Sequence, residues 1–304
     1  MIQGWLLAAL LVQFAETPLE GLLAAGWAAL PGSPEAELRC TLYSRDYWFV
    51  EVIDGRIKAR PELRAPRRLD RLPFELPEER DRSGDRHVLR VSDGWIVGFN
   101  DGEFGGGLWW FSPLGHDAIR IRPPADAPIH PDDIFAAENV LGFVSVDGKS
   151  LVLMGLDHLT GRSGRIFRLV RDSIGWALSP VAVLDSQPDA WVVERTRMLI
   201  VTGGGIWTMQ ANGDLERIYA LGPLDVRIID PASGMLVTTW RVDLGNLAPT
   251  SVARGADGSL YLGLRHYVLR LEHGESGWIE TWLVRSDCTK VRAGAHEWEC
   301  VCVE

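Results

Sequence analysis

DGSLYLGL (Asp257 to Leu264), followed by HYVLRLEHG (His266 to Gly274), sets the frame for the whole chain. Asp-Gly is turn chemistry, because both residues tolerate the backbone angles a tight reversal needs. Leu260, Tyr261 and Leu262 form a short apolar run that ends at Gly263. A polar break at Arg265-His266 leads to a second run, Val268 to Leu271, and then to a further turn at His273-Gly274. Such runs bounded by turn residues read as two strands joined by a hairpin.

The pattern recurs. DGWIVGF (Asp93 to Phe99) leads to GGLWWFSPLG, DGKSLVLMGL (Asp147 to Leu156) leads to GRIFRLVRD, and RTRMLIVTG (Arg195 to Gly203) leads to GGIWTMQANG. With Gly98, Gly155, Gly203 and Gly263 as equivalent positions, the steps are 57, 48 and 60 residues. Further strands flank each pair. VLGFVSV (Val140 to Val146), AWVVER (Ala190 to Arg195) and TSVARG (Thr250 to Gly255) precede it, while HDAIRIRP, SPVAVLD, DLERIYAL and GWIETWLV follow. Four strands per unit, at a period near that of a propeller blade plus insertions, predict an all-β propeller of five to seven blades. TLYSRDYWFVEVIDGRI (Thr41 to Ile57) reads as a partial unit, and VRIIDPASGMLVTTWRV (Val226 to Val242) as another blade or an insertion.

At APTSVARGADGSLYLGLRHYVLRLE (Ala248 to Glu272) the chain resembles the β-propellers with NHL-like and lactonase- or lyase-type repeats. The resemblance spans roughly residues 88 to 284 and is one of fold. Its motifs, Pro-x-Ser-Val and Asp-Gly-x-Leu-Tyr-x-Gly, mark strands and turns and carry no catalytic residue across.

Composition fits this frame. Thirteen Trp and 32 Gly among 304 residues suit many short strands and tight turns. A net charge of −10 supplies no basic stripe for phosphates, which argues against nucleic acid. The expected organisation is an N-terminal helical or signal-like segment (1–30), a propeller (38–285) and a cysteine-bearing tail (286–304). GWLLAALLVQFA (Gly4 to Ala15) has the length of a signal-peptide apolar region, although no Lys or Arg precedes it and Gln13 stands where a small residue is wanted. The other reading is an N-terminal helix continuing through Gly21 to Leu30. Export to the periplasm or outside is the expectation, a cytoplasmic protein the alternative. No later apolar run has the length of a membrane span. Cys40, Cys288, Cys300 and Cys302 are disulfide candidates tying the chain ends together, or free thiols in a reducing compartment. The stretch from Arg56 to Arg86, rich in Arg, Glu, Asp and Pro, reads as a long exposed excursion, or as a lid or partner-binding arm.

NDGEFGGGLWWF (Asn100 to Phe111) decides where a site would lie. A phosphate loop needs a helix after its glycines, whereas Leu-Trp-Trp-Phe favours a strand. The stretch is therefore a hairpin. If each repeat pair forms the second and third strands of a blade, all such hairpins emerge on one face. Asp101 and Glu103, Asp157 and His158, the glycines 203–205, and Arg265 and His266 would then share that level. This makes Asp101, Glu103, Asp157, His158, Arg265 and His266 the candidate ligand-binding residues. The leading functional expectation is a non-catalytic binding module for a protein or small ligand. The alternative, implied by the resemblance, is a metal-dependent lactonase- or hydrolase-like enzyme. Asp101, Glu103, Asp157 and Asn246 would supply oxygen ligands and His158 or His266 a general base. No Gly-x-Ser-x-Gly elbow and no Cys-x-x-Cys-His haem site occurs, and no cofactor is assigned.

Overall fold

The computed structural model describes residues 17–30, 46–62, 70–76, 82–102, 106–126, 139–158, 161–221, 224–229, 236–242, 244–286, 291–293 and 300–302. In chain order, α1 (Pro18–Ala24) is followed by β1 (Trp27–Ala29) and by a hairpin of β2 (Trp48–Ile53) and β3 (Arg56–Pro61). The first four-stranded sheet holds β4 (Asp85–Val91), β5 (Gly94–Asn100), β6 (Gly106–Phe111) and β7 (Ala118–Ile121). The second holds β8 (Val140–Val146), β9 (Lys149–His158), β10 (Gly161–Arg171) and β11 (Trp176–Leu184). The third holds β12 (Ala190–Glu194), β13 (Arg197–Thr202), β14 (Gly205–Gln210) and β15 (Leu215–Tyr219). A hairpin of β16 (Leu224–Ile229) and β17 (Leu236–Val242) intervenes. The last large sheet holds β18 (Ser251–Arg254), β19 (Leu260–Gly263), β20 (Val268–Gly274) and β21 (Gly277–Arg285), and β1 adds to it alongside β21. A small hairpin of β22 (Val291–Ala293) and β23 (Cys300–Cys302) follows. Within each large sheet, consecutive strands pair antiparallel in sequence order.

The second strand of each sheet is buried on both sides, which explains its continuous apolar run. On β13 the period of two sends Met198 and Ile200 to one neighbouring sheet and Leu199 and Val201 to the other. The sheets thus stack face to face. Ile96 and Leu108 meet Val152, Met154 and Phe167; Leu153 and Ile166 meet Met198, Ile200 and Met209; Leu199 and Val201 meet Val252, Leu262 and Leu269. Beyond the last sheet, Tyr261, Val268 and Leu283 pack against Trp48, Val50 and Ile57 of the first hairpin. Repeated antiparallel four-stranded sheets stacked in this way make a β-propeller.

The third sheet packs directly on the last one, so β16–β17 is an insertion between them rather than a blade. Among the described residues, four sheets and the β2–β3 hairpin make five units, the low end of the expected range. No apolar cluster among the described residues joins that hairpin to β4–β7. The free face of β4–β7 is covered instead by Leu72, Phe74 and Leu76, which pack near Val97, Phe99 and Phe111.

Two expectations need correction. The N-terminal helix ends at Ala24 and does not continue to Leu30. Gly26 turns the chain at φ 88° and Trp27 starts a strand, its indole meeting that of Trp48 edge-on at 4.7 Å. Residues 27–29 therefore belong to the propeller. The stretch from Arg56 to Arg86 is not a continuous exposed excursion, because it opens as β3 and its residues 72, 74 and 76 cover a sheet face. Among the disulfide candidates, Cys40 and Cys288 lie outside the described residues. For Cys300 and Cys302 only the strand backbone is described. Residues 1–16 also lie outside them. Among the described residues, no helix is long and apolar enough to cross a membrane.

Candidate functional site

An antiparallel meander alternates its turns between two rims. On one rim lie the first-to-second and third-to-fourth turns, all of two to six residues, such as Asp54-Gly55, Asp147-Gly148 and the stretch 211–214. On the other lie the second-to-third hairpins and, among the described residues, the points where connections leave and enter the four-stranded sheets, such as Arg122, Asn139, Ala220 and Thr250. The described candidates Asp101, Asp157, His158, Arg265 and His266 belong to this second rim, since the repeat pairs β5–β6, β9–β10, β13–β14 and β19–β20 are the second and third strands of their sheets.

Hydrogen bonds bind the hairpins of the first, third and last sheets to adjacent connections. In the first sheet, the Asp101 carboxylate accepts the Ser83 hydroxyl at 2.8 Å, and Asn100 Oδ1 accepts the Gly102 N–H at 3.0 Å. Asn139 Nδ2 donates to the Gly102 carbonyl at 2.6 Å; the residue is only 3% exposed, and its Oδ1 has no partner among the described residues. In the third sheet, the Gly203 N–H donates to Ser186 Oγ at 2.8 Å, and Gly204 lies against the Asp185 carboxylate. Asp157 and His158 are the last two positions of β9, across from Arg162 and Gly161. Glu103 lies outside the described residues.

The last sheet brings the most together. The Arg265 N–H donates to the Leu247 carbonyl at 2.9 Å, which sets the 3-10 turn Gly245–Leu247, and with it Asn246, beside the hairpin. The Arg265 guanidinium lies 4.9 Å from the Tyr47 ring centre, a cation–π distance. The His266 N–H donates to the Asp46 carbonyl at 2.7 Å. His266 itself is 3% exposed, holds φ 72° and meets the Tyr267 ring edge-on at 4.8 Å. Burial pushes its imidazole below the usual histidine range, with Asp46 opposing in part. A buried, neutral histidine of this kind fixes the seam and does not face solvent.

Sequence reasoning missed the seam's other half. Glu62 reaches back to Tyr47, its N–H donating to that carbonyl at 2.7 Å. Burial raises its carboxyl, against the lowering effects of Arg60 and of a hydrogen bond from the Thr250 side chain. Thr250 Oγ1 also lies within hydrogen-bond distance of the Trp48 carbonyl, so the two acceptors share its one proton. A raised carboxyl and a lowered imidazole on one seam are also what acid–base sites present; here the docking of β2–β3 accounts for both. Only the pairing of the first hairpin with the last sheet brings these residues together, and no local motif announces it. Among the described residues, no group of three His, Cys, Asp or Glu side chains is placed to hold a metal ion.

No protein-family model matches the chain, and no curated protein matches it. Several solved structures do. The extracellular domain of a putative hybrid two component system from B. thetaiotaomicron matches at 12% identity and a TM-score of 0.34, over 81% of this chain and 32% of that one. Virginiamycin B lyase from Staphylococcus aureus matches at 13% identity and a TM-score of 0.30, over 64% of this chain and 68% of that one. The WD40 β-propeller domain of Doa1 matches at 11% identity and a TM-score of 0.23, over 84% and 95%. The chain spans about a third of the length of that extracellular domain, 32%, and the same share of another structure of it, described as a putative one component system. The likeness is one of fold, and the propeller assignment rests on the stacked sheets.

Proposed function

We propose that this chain is a non-catalytic recognition propeller, binding a protein or small ligand on the rim that carries the second-to-third hairpins. The observation that carries this reading is the asymmetry of the two rims. One is closed by turns of two to six residues, whereas at the other the connections leave and enter the four-stranded sheets, and Ser83, Asn139, Ser186 and Asp46 bond to the hairpins there. Variable loops fixed on a rigid scaffold are where binding residues concentrate. The metal-dependent hydrolase reading has less support, because the imidazole of His266 is buried and Asp101 is engaged by Ser83. Export of the chain is part of the proposal and rests on the apolar stretch Gly4 to Ala15.

Site-specific photo-crosslinking tests it. A benzophenone side chain placed at Asp101 or Asn246 should trap a defined partner in extracts of the source cells, while one at Asp54 or Asn212 on the opposite rim should not. Crosslinking from the second pair alone would overturn the assignment. Elemental mass spectrometry of the purified protein separates the enzyme reading. A stoichiometric divalent metal that disappears in an Asp101→Ala/Asp157→Ala variant would put the hydrolase first.

A further inference from the structure

The rim of short turns carries a feature that the proposed recognition face does not use. Between the first and second four-stranded sheets lies a cleft of about 650 Å³, within the roughly 300–1,000 Å³ usual for small-molecule sites. Its walls are mainly apolar: Trp110, Ile119 and Ile121 from one sheet, Trp176, Ala177 and Ile174 from the other. Ile119 is 57% exposed, and Ile174, at the tip of the β10–β11 turn, is 94% exposed. Fully exposed isoleucine beside an open indole-lined cleft leaves apolar surface in water for no gain to the fold.

The walls are fixed. Asp93, in the β4–β5 turn, accepts the Trp176 Nε1–H at 3.0 Å and pairs with the Arg171 guanidinium at 2.8 Å, clamping one sheet to the other. Asp172 Oδ1 accepts the N–H groups of Ile174 and Gly175, both at 2.8 Å, which shapes the turn presenting Ile174. Those two bonds hold the Asp172 carboxyl below its ordinary range.

The charges then define the occupant. Asp93 and Asp172 balance Arg120 and Arg171, so neither a cation nor an anion gains from net attraction. Both Asp93 oxygens accept bonds already, and Asp172 Oδ1 accepts two backbone donors, which leaves Asp172 Oδ2 as the one carboxylate oxygen of the pair outside these bonds. A guanidinium carries five N–H donors, of which the pair with Asp93 engages one of the terminal nitrogens of Arg171. The cleft therefore offers apolar area and donors but few acceptors. From this we infer that it binds an uncharged, aromatic small molecule bearing a carbonyl-type acceptor, which would lie on the indoles and isoleucines with its oxygen toward Arg171. The site is on the other rim from the proposed recognition face, so either assignment can fail without the other.

Nile red, an uncharged aromatic dye with a carbonyl acceptor, is the probe. Its emission should rise saturably at one dye per chain. Ile119→Glu and Ile174→Asp should each weaken binding at least tenfold, with circular dichroism and melting unchanged because both side chains are exposed. Ile279→Glu, at a comparably exposed isoleucine on β21 (51%), should leave it intact. Absence of saturable binding, or equal losses at Ile119 and Ile279, would overturn the inference. Tighter binding of the anionic dye anilinonaphthalene sulfonate than of Nile red would overturn the ligand class. Sedimentation gives the last check. A dimer that Ile174→Asp converts to monomer would mean that a second copy, not a small molecule, covers the cleft.

Discussion

The Ser251 hydroxyl accepts the Val50 backbone N–H at 2.7 Å, joining positions 201 apart in the chain. Ser251 opens the last sheet and Val50 lies in the first hairpin; they are 5% and 2% exposed. The bond fastens one end of the described fold to the other. Ser251→Ala would leave a buried N–H unpaired and should cost about 1–3 kcal/mol of stability. The measurement is the urea midpoint at constant slope. An unchanged midpoint would mean that the hairpin is not docked in solution.

Two glycines of the repeat sit where the neighbouring unit presses closest. A methyl group on Gly263 would run into the Trp48 carbonyl, and one on Gly98 into the buried Val140 side chain. Gly263→Ala should be the worse of the two, because backbone yields less than a side chain. Overpacking typically costs about 1–3 kcal/mol, with Gly263→Ala at or above the top of that range. Thermal melts of the pair, read against each other, check the ranking.

Arg270 holds the last sheet's polar core. It donates to Tyr261 Oη at 3.1 Å and pairs with Glu272 at 2.8 Å and Asp257 at 3.3 Å while 9% exposed. Burial is the main reason the Tyr261 hydroxyl is pushed up to about 12. Arg270→Ala takes the donor from the Tyr261 hydroxyl and the ion pair from Asp257, which keeps two bonds from Ser259, and should cost about 3 kcal/mol, at the lower end for breaking a buried pair because Glu272 is half exposed. Tyr261→Phe removes one hydrogen bond and should cost about 1 kcal/mol. Equal losses in the two variants would contradict the arrangement.

Stability should fall in mild acid through His266. Its folded-state imidazole titrates below the ordinary value of 6.5, so the unfolded chain binds the proton first. The contribution is complete above about pH 6.5 and is lost as pH drops below it. His266→Asn, which tolerates the positive φ, should flatten the melting temperature between pH 7 and pH 5.5. An unaltered slope would assign the acid sensitivity elsewhere.

Replacing residues 223–243 by a short Gly-Ser linker should preserve the fold, since β12–β15 packs on β18–β21 without β16–β17. A melting point within about 4 °C of the parent, roughly a 1 kcal/mol change at this size, is the expected outcome. Loss of cooperative melting would make the hairpin a structural blade.

Much of this was legible in the residues themselves. Turn residues and apolar runs located the four repeat pairs, and the glycines taken as equivalent at 98 and 263 both fall where the next unit crosses. The alternation Leu72, Phe74, Leu76 was also present, although the surrounding prolines and charges disguised it. Nothing local marks Trp110 and Trp176 as walls of a cleft, because a strand residue's exposure depends on the sheet opposite it. For the candidate rim, the spacing locates the level of the hairpins but not burial, so His266 stands among the candidate ligand-binding residues although it is 3% exposed.

The sequence by itself determined the strands, their hairpins and the rim on which each hairpin lies, since these follow from local backbone preference and a period of two. Only the tertiary structure decided which faces meet. It put Trp27 beside Trp48, Val50 beside Ser251 and the third sheet against the last, leaving β16–β17 outside. Those choices rest on shape and hydrogen bonding between segments as much as 200 residues apart, and local strand preference is the same whether a hairpin becomes a blade or an insertion.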